Sequence, residues 1–151
     1  MTRLNAESRF WTKVNKDGPA SDYAPYLGPC WLWTGAQRGK GYGAFKVDRR
    51  MVRAHRFAYE LLVGPIAEGL DLDHLCRVRH CVRPSHMEPV TPQVNILRGV
   101  GTSALNAKKT HCPLGHPYDA TNTYHDPRGK RYCRACWRAR DRRQARKQIA
   151  V

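Results

Sequence analysis

Residues 73–95, DHLCRVRHCVRPSHMEPVTPQVN, decide the fold because they concentrate potential metal ligands in one short stretch. Two cysteines and three histidines lie between Asp73 and Asn95. Thiolate and imidazole groups favour a structural zinc ion, whereas carboxylate and amide oxygens favour a harder cation such as Mg²⁺. The mixture raises the question of whether this stretch serves one metal ion or two.

The overall charge points to a polyanionic partner. The chain of 151 residues has a formal net charge of +15, an excess that nucleic acid neutralises most commonly. An anionic membrane surface is the rival partner. The sequence has neither a long apolar run nor a basic amphipathic helix with a bulky apolar face, which membrane association would require. We therefore expect nucleic acid as the partner and no membrane association.

The cysteines indicate metal binding rather than disulfides. The N-terminal MTRLNAESRFW lacks the apolar core of a signal peptide, so we expect a protein that is not secreted and works in the cytoplasm, with reduced thiols. Six cysteines in that compartment are typical of metal sites.

Composition divides the chain into four segments. We expect an N-terminal arm and loop at 1–29, a compact α+β unit at 30–98, a linker at 99–110, and a second Cys/His cluster with a basic tail at 111–151. Within the second segment, CWLWTG, GYGAFKV and MVRAH read as strands, and HRFAYELLVG reads as a helix ended by Gly64-Pro65. LDLDH and HMEPV can pair as a hairpin, and Thr91-Pro92 is a typical start for a helix that carries Asn95.

The C-terminal cluster has the clearer zinc pattern. A C-x3-H pair and a C-x2-C pair flank DPRG, a hairpin turn signal, and two such pairs suit one tetrahedral ion. We expect a zinc-ribbon-like knuckle. Its predicted ligands are Cys112, His116, Cys133 and Cys136, with His111 or His125 as alternatives to His116.

The other three cysteines suggest a second zinc site. Cys76 and Cys81 open a C-x4-C-x4-H pattern that ends at His86, and Cys30 would join them from an early strand. His80 competes for the fourth position, but its adjacency to Cys81 makes simultaneous tetrahedral ligation awkward.

Asp73, His74 and Asn95 remain, and they suit hydrolytic chemistry. An imidazole beside an oxygen-ligated divalent cation can deprotonate water while the metal stabilises the phosphorane and the departing 3′ oxygen. This is phosphodiester hydrolysis, which suits a very basic protein.

The motifs DHLC, C-x4-C, RPSH and the terminal asparagine resemble the ββα-metal, or His-Me finger, nucleases, and in particular the HNH and His-Cys box endonucleases of phages and mobile introns. RFWTKV, CWLWTG, GYGAF and AHRFAYEL fit small phage-type members. The resemblance implies an α+β fold with a zinc-stapled ββα-metal core, N-terminal hairpin strands, and a C-terminal knuckle followed by a basic helix.

The same resemblance implies roles for single residues. His74 would be the general base and Asn95 a ligand of the catalytic Mg²⁺ or Mn²⁺, while both Cys/His clusters would hold structural Zn²⁺. Asp73 would be a second ligand of the catalytic ion, although neighbours in a regular strand face opposite sides, so the strand would have to break at the zinc loop. Arg56 would contact the scissile phosphate.

Basic side chains elsewhere suit DNA contact. The expected contacts are a helical stripe at Arg138, Arg142 and Arg146, and a hairpin with Arg38, Lys40 and Lys46. Trp31 and Trp33 are expected in the core.

The leading function is a metal-dependent DNA endonuclease that leaves 5′-phosphate and 3′-hydroxyl ends. We expect a phage-encoded or homing-type site-specific enzyme, working in a bacterial host or phage-infected cell. A homodimer is compatible with this interpretation. The alternative is a non-catalytic, zinc-containing DNA-binding or regulatory protein.

Overall fold

The protein combines small antiparallel sheets with short helices. The structure, a computed structural model, describes residues 5–149. Two compact units divide it, the first extending to Asn95 and the second beginning at Ile96. This mixture of helices and small sheets agrees with the α+β class that the sequence predicts.

The chain enters the first unit through a capped helix. The helix α1 (Ala6–Trp11) begins at Asn5, whose side-chain oxygen accepts a hydrogen bond from the Ser8 backbone N–H at 2.7 Å. It leads into β1 (Val14–Asn15), which pairs with β2 (Leu32–Trp33). The strand predicted from CWLWTG is only two residues long, because β1 supplies two residues to pair with it.

A three-stranded sheet and a helix form the main core. The strands β3 (Gln37–Arg38), β4 (Tyr42–Val47) and β5 (Arg50–Arg53) pair in that order, and the helix α2 (Ala54–Leu62) follows directly. The helix ends before Gly64-Pro65, as predicted. Aromatic and small apolar side chains from the arm, sheet and helix make the core, namely Phe10, Trp33, Phe45, Ala54, Ala58 and Val82, with Trp31 packed against it.

The predicted hairpin and helix follow. The strand β6 (Asp71–His74) pairs with β7 (Met87–Val90), so the loop between them carries Cys76, Cys81 and His86. The helix α3 (Pro92–Arg98) starts at the predicted proline, and Thr91 Oγ1 accepts a hydrogen bond from the Val94 N–H at 3.3 Å.

The second unit begins with a helix that differs from the expected linker character of residues 99–110. The helix α4 (Thr102–Lys108) forms because the glycines lie outside it and its buried Ala104 packs inward. The strands β8 (Thr123–His125) and β9 (Arg131–Cys133) then make the predicted hairpin, and the basic tail forms the helix α5 (Arg134–Ile149).

Within residues 5–149, none of the helices has the length and apolar character needed to cross a bilayer.

Candidate active site and Cys/His clusters

The first Cys/His cluster lies in the hairpin loop of the first unit, and its members are Cys30, Cys76, Cys81 and His86. All four side chains are buried, and their ligand atoms lie within 4.8 Å of one another. His86 Nδ1 is 3.6 Å from the sulfur of Cys30 and 3.7 Å from that of Cys81. A tetrahedral zinc ion separates sulfur from nitrogen by about 3.5 Å, so these donors fit zinc.

A backbone contact selects His86 as the nitrogen donor. Its Nε2 lies 3.0 Å from the Leu27 carbonyl, and donation to that oxygen turns Nδ1 toward the sulfurs. The competing His80 lies outside the cluster; its backbone carbonyl accepts a hydrogen bond from the Trp33 N–H at 2.9 Å.

The segment 19–30 holds the cluster from outside the hairpin. The Cys30 N–H donates to the Pro19 carbonyl at 3.1 Å, which helps hold this ligand in place. Arg83 reaches back from the hairpin loop to the Pro29 carbonyl at 2.7 Å, and Ser21 Oγ donates to the Cys76 carbonyl at 2.5 Å. The cluster therefore joins two parts of the chain that are far apart in sequence.

The buried thiols share protons unequally. A hydrogen bond from the Cys81 thiol lowers the pKa of Cys76 to about 5. The pKa of Cys81 rises through that same pairing and through burial, and burial raises the pKa of Cys30. Closely packed thiols with one readily formed thiolate are what a zinc ion would stabilise by displacing protons.

The second cluster lies in the second unit, and its members are Cys112, His116, Cys133 and Cys136. Their ligand atoms also lie within 4.8 Å of one another. His116 Nδ1 is 3.4 Å from the Cys112 sulfur and 3.3 Å from the Cys136 sulfur, again at zinc-like spacing. The alternatives His111 and His125 are outside this cluster.

Asn122, a residue that no sequence motif singles out, supports the second cluster. Its side-chain nitrogen donates to the Cys133 sulfur at 3.3 Å, and its oxygen accepts from the Ala135 N–H at 2.9 Å. Such contacts orient metal ligands. The sequence alone does not show which residue faces the knuckle, so it carries no signal for this role of Asn122.

The candidate base His74 is the last residue of β6. Its side chain is buried, with Nε2 3.0 Å from the carbonyl oxygen of Cys81. Because a carbonyl only accepts, this contact places the proton on Nε2 and leaves Nδ1 as the basic nitrogen. Burial lowers the pKa of His74, so the imidazole is neutral near pH 7 and able to accept a proton.

Another buried histidine lies beside His74. The ring centroids of His55 and His74 are 4.7 Å apart, and Tyr42 packs within 6 Å of both rings. Burial, helped by the nearby charges of His74, Arg56 and Arg53, lowers the pKa of His55 to about 3. His55 lies at the junction of strand and helix, but the sequence pattern carries no sign that it meets His74.

The backbone around Asp73 differs from the break that a shared site for Asp73 and His74 would require. The strand stays regular through Asp73 and His74, which lie opposite Glu88 and Met87, so the anticipated break does not occur before His74. The Asp73 carboxylate forms an ion pair with Arg77.

Asn95 meets an aspartate that the sequence analysis missed. Its side-chain nitrogen donates to Asp71 Oδ2 at 3.3 Å. Asp71 and Asp73 lie on one face of the strand because they are two residues apart. The alternation in LDLDH was the available signal.

The six basic residues predicted to contact DNA from the hairpin and from α5 are exposed, and the backbone carbonyls of two of them accept hydrogen bonds. The carbonyls of Arg38 and Lys40 accept hydrogen bonds from Arg53 and Arg79, each at 3.0 Å. Both guanidinium groups lie over the ring of Tyr42, which packs beside His74. Arg56 is half-buried in α2, Lys46 is exposed in β4, and the exposed stripe of α5 consists of Arg138, Arg142 and Arg146.

Comparison with known proteins assigns the central segment. Residues 52–97 match the family model described as HNH endonuclease. The similarity of this segment to the HNH endonuclease model agrees with the resemblance expected from the sequence motifs. The match contains His74, Asn95 and three members of the first cluster, but neither Cys30 nor the second cluster.

Two phage proteins are similar in part. Protein 7.7 of Escherichia phage T7 is 36% identical over 66 residues, covering 44% of this chain and 51% of that protein. The uncharacterized gene 5.3 protein of Enterobacteria phage T3 is 28% identical over 53 residues, covering 35% of this chain and 52% of that protein. The chain thus spans about half the length of each relative. No solved structure matches it significantly.

Proposed function

We propose that this protein is a metal-dependent endonuclease that hydrolyses phosphodiester bonds of double-stranded DNA. The observation that carries the proposal is the hydrogen bond between His74 and the Cys81 carbonyl, inside the segment that matches the HNH family. It supports a neutral imidazole whose Nδ1 is basic, which is what a general base for water requires.

In the proposed reaction, His74 Nδ1 takes a proton from water, and the resulting hydroxide attacks the phosphorus. The bond to the 3′ oxygen then breaks, and that oxygen takes a proton from solvent water, leaving a 3′-hydroxyl and a 5′-phosphate. The Cys81 carbonyl stabilises the positive charge that His74 gains, because it accepts the hydrogen bond from Nε2.

Asp73 and Asn95 would hold the catalytic cation, Asp73 after its carboxylate leaves Arg77 and turns toward His74, because the regular strand otherwise directs these neighbouring side chains to opposite faces. Carboxylate and amide oxygens suit Mg²⁺ or Mn²⁺, which when bound would stabilise negative charge on the phosphate and on the leaving oxygen. The hydrogen bond from the Asn95 nitrogen to Asp71 supports this role, because it directs the amide oxygen away from Asp71.

We further propose that both Cys/His clusters hold structural zinc and that separate segments of the chain carry cleavage and DNA binding. Residues 30–98 would form the nuclease core, and residues 111–151 would bind DNA through Arg138, Arg142 and Arg146. Lys40, Lys46 and Arg38 would add contacts from the hairpin, and Arg56 would contact the scissile phosphate. The partial similarity to two phage proteins favours a phage-encoded or homing-type role.

The deciding experiment is cleavage of supercoiled plasmid with Mg²⁺ or Mn²⁺ by wild type, His74→Ala and the control His80→Ala. We expect cleavage by wild type and His80→Ala, and a loss of about 10²–10⁴-fold in His74→Ala, the usual contribution of a positioned base. Zinc content and DNA affinity should stay equal in all three proteins. If zinc-loaded wild type binds DNA but does not cut across several metals and sequences, the non-catalytic DNA-binding function replaces this one.

A further inference from the structure

The second unit contains a basic cleft that the proposed catalytic chemistry does not use. Its volume is about 640 Å³, and it lies between α4 and the turn of the β8–β9 hairpin. Its cationic lining residues are Lys109, Arg128, Lys130 and Arg131, and Ser103 and Asn106 add polar groups. None of these six belongs to the second Cys/His cluster or to the stripe on α5.

One of the four cations is held in place before any ligand arrives. Arg131 donates from Nη2 to the Asn106 carbonyl at 2.6 Å, and its guanidinium carbon lies 3.8 Å from the centroid of the Tyr118 ring. Both contacts fix the planar group, so less side-chain entropy is lost when it binds an anion.

Acidic side chains do not neutralise the cleft. From Ile96 to the end, the sequence has thirteen Lys and Arg residues against three Asp and no Glu. Asp126, nearest in sequence to the turn, accepts hydrogen bonds from the backbone N–H groups of Arg128 and Lys130, each at 2.9 Å. That carboxylate shapes the turn that presents the two cationic side chains.

Tyr118 is the aromatic residue in the lining of the cleft, and the other aromatic residues of this region belong to the opposite face of the hairpin. Neighbours in a strand point to opposite faces, so Arg131 and Tyr132 lie on different sides of β9. Tyr132 packs with Tyr124 and Trp137, at centroid distances of 6.2 and 6.0 Å. The Arg131 guanidinium covers the ring of Tyr118, so the cleft offers mainly cations and hydrogen-bond donors, which match phosphate oxygens and sugar hydroxyls.

We propose that this cleft binds the sugar–phosphate backbone of DNA, as an anchoring site distinct from the reacting centre at His74. That the polyanion is DNA rests on the proposed function. That the cleft binds a polyanion is inferred from the cations that line it. Such contacts raise affinity for every sequence and make binding strongly salt-dependent, without reading bases.

The test measures DNA binding by the full-length, zinc-loaded chain in a His74→Ala background, so that cleavage does not interfere. A labelled duplex is titrated at several salt concentrations, and anisotropy gives the affinity and its salt slope. The cleft variant combines Lys109→Gln, Arg128→Gln and Lys130→Gln. The charge-matched control combines Arg49→Gln, Arg50→Gln and Lys108→Gln, three exposed cations outside the cleft.

We expect the cleft variant to bind at least about tenfold more weakly at 0.1 M salt and to lose about 2–3 from its logarithmic salt slope, near 0.9 for each lost phosphate contact. The control should lose much less of both. Equal losses in the two variants would show only a change in net charge and would overturn the proposal. Circular dichroism and zinc content establish that both variants fold.

The two proposals fail separately in this design. If the cleft variant binds weakly but wild type never cuts DNA, the anchoring site stands and the nuclease proposal falls. If wild type cuts DNA and the cleft variant binds like the control, the anchoring site alone is wrong.

Discussion

The carbonyl oxygen of Cys81 lies 3.0 Å from Nε2 of His74, so a residue whose thiol belongs to a Cys/His cluster also orients the candidate base. The side chain of Cys81 lies in the cluster, and its carbonyl oxygen lies beside the candidate base. Loss of a metal from the first cluster should therefore disturb His74 directly, besides weakening the fold.

Replacing Cys30 tests this connection. Cys30 belongs to the first cluster but lies outside the matched segment 52–97. Cys30→Ala should remove one zinc, lower the unfolding temperature, and reduce plasmid cleavage by about 100-fold or more, because the base loses its orientation. Metal analysis, thermal unfolding and cleavage at saturating DNA measure the three effects.

The matched control is Cys136→Ala in the second cluster. It should also remove one zinc, but its effect should fall on DNA affinity, with cleavage at saturating DNA within a few-fold of wild type. Equal loss of cleavage in both variants would contradict the connection between Cys81 and His74.

The choice between two histidines gives a second prediction. His86→Ala should lose one zinc equivalent, because Nδ1 of His86 faces the sulfurs of Cys30 and Cys81. His80→Ala should keep both zinc ions. Zinc counted by mass spectrometry of the native protein checks this, and a loss caused by His80→Ala alone would reverse the assignment.

Asp71 gives a third prediction. Because it accepts a hydrogen bond from Asn95, Asp71→Ala should free the amide to rotate and raise the Mg²⁺ concentration needed for half-maximal cleavage by about tenfold. Asp71→Asn, which retains an acceptor oxygen, should lie between wild type and alanine.

The control for Asp71 is Glu68→Ala, which removes an exposed carboxylate from the preceding loop. Its Mg²⁺ requirement should not change. If Asp71→Ala lowers the maximal rate at every Mg²⁺ concentration without changing the half-maximal point, Asp71 does not act through Asn95.

The fourth prediction concerns stability in acid. The pKa of His55 falls from its ordinary value of 6.5 to about 3 in the folded protein, so the unfolded chain binds more protons between these values. Stability from this group is complete above pH 6.5 and is lost as the pH falls toward 3. At pH 5.5 the loss is about 1 kcal/mol.

His55→Phe keeps a ring against His74 and Tyr42 but removes the titrating group. Between pH 7.5 and 5.5, urea unfolding should show wild type losing about 1 kcal/mol more stability than His55→Phe. Both proteins share the same Cys/His clusters, so acid release of metal affects them alike. Identical pH dependence would mean that His55 titrates normally in the fold.

Local patterns made much of this structure predictable. The pairs Cys112–His116 and Cys133–Cys136 are set by spacing within a turn, and the structure brings their ligand atoms together. The helix that begins at Pro92 follows from capping chemistry, which depends on adjacent residues. Each of these features needs only a few neighbouring positions.

The features that the sequence analysis missed depend on distant contacts. His86 meets the Leu27 carbonyl 59 positions away, and Asn95 meets Asp71 24 positions away. A single sequence shows residue types but not such pairs. The helix α4 was missed because Gly99 and Gly101 suggested flexibility, while the burial of Ala104 depends on packing within the second unit.

The contacts of residues 19–30 with the hairpin loop determine how short a gene fragment can be and still encode the first Cys/His cluster. The matched segment 52–97 lacks Cys30, the Leu27 carbonyl and the Pro29 carbonyl that Arg83 grasps. A recombination event that transferred this segment alone would leave the first cluster without Cys30 and without its backbone contacts. A segment that keeps the first Cys/His cluster together with these contacts therefore begins at or before Pro19 rather than at residue 52.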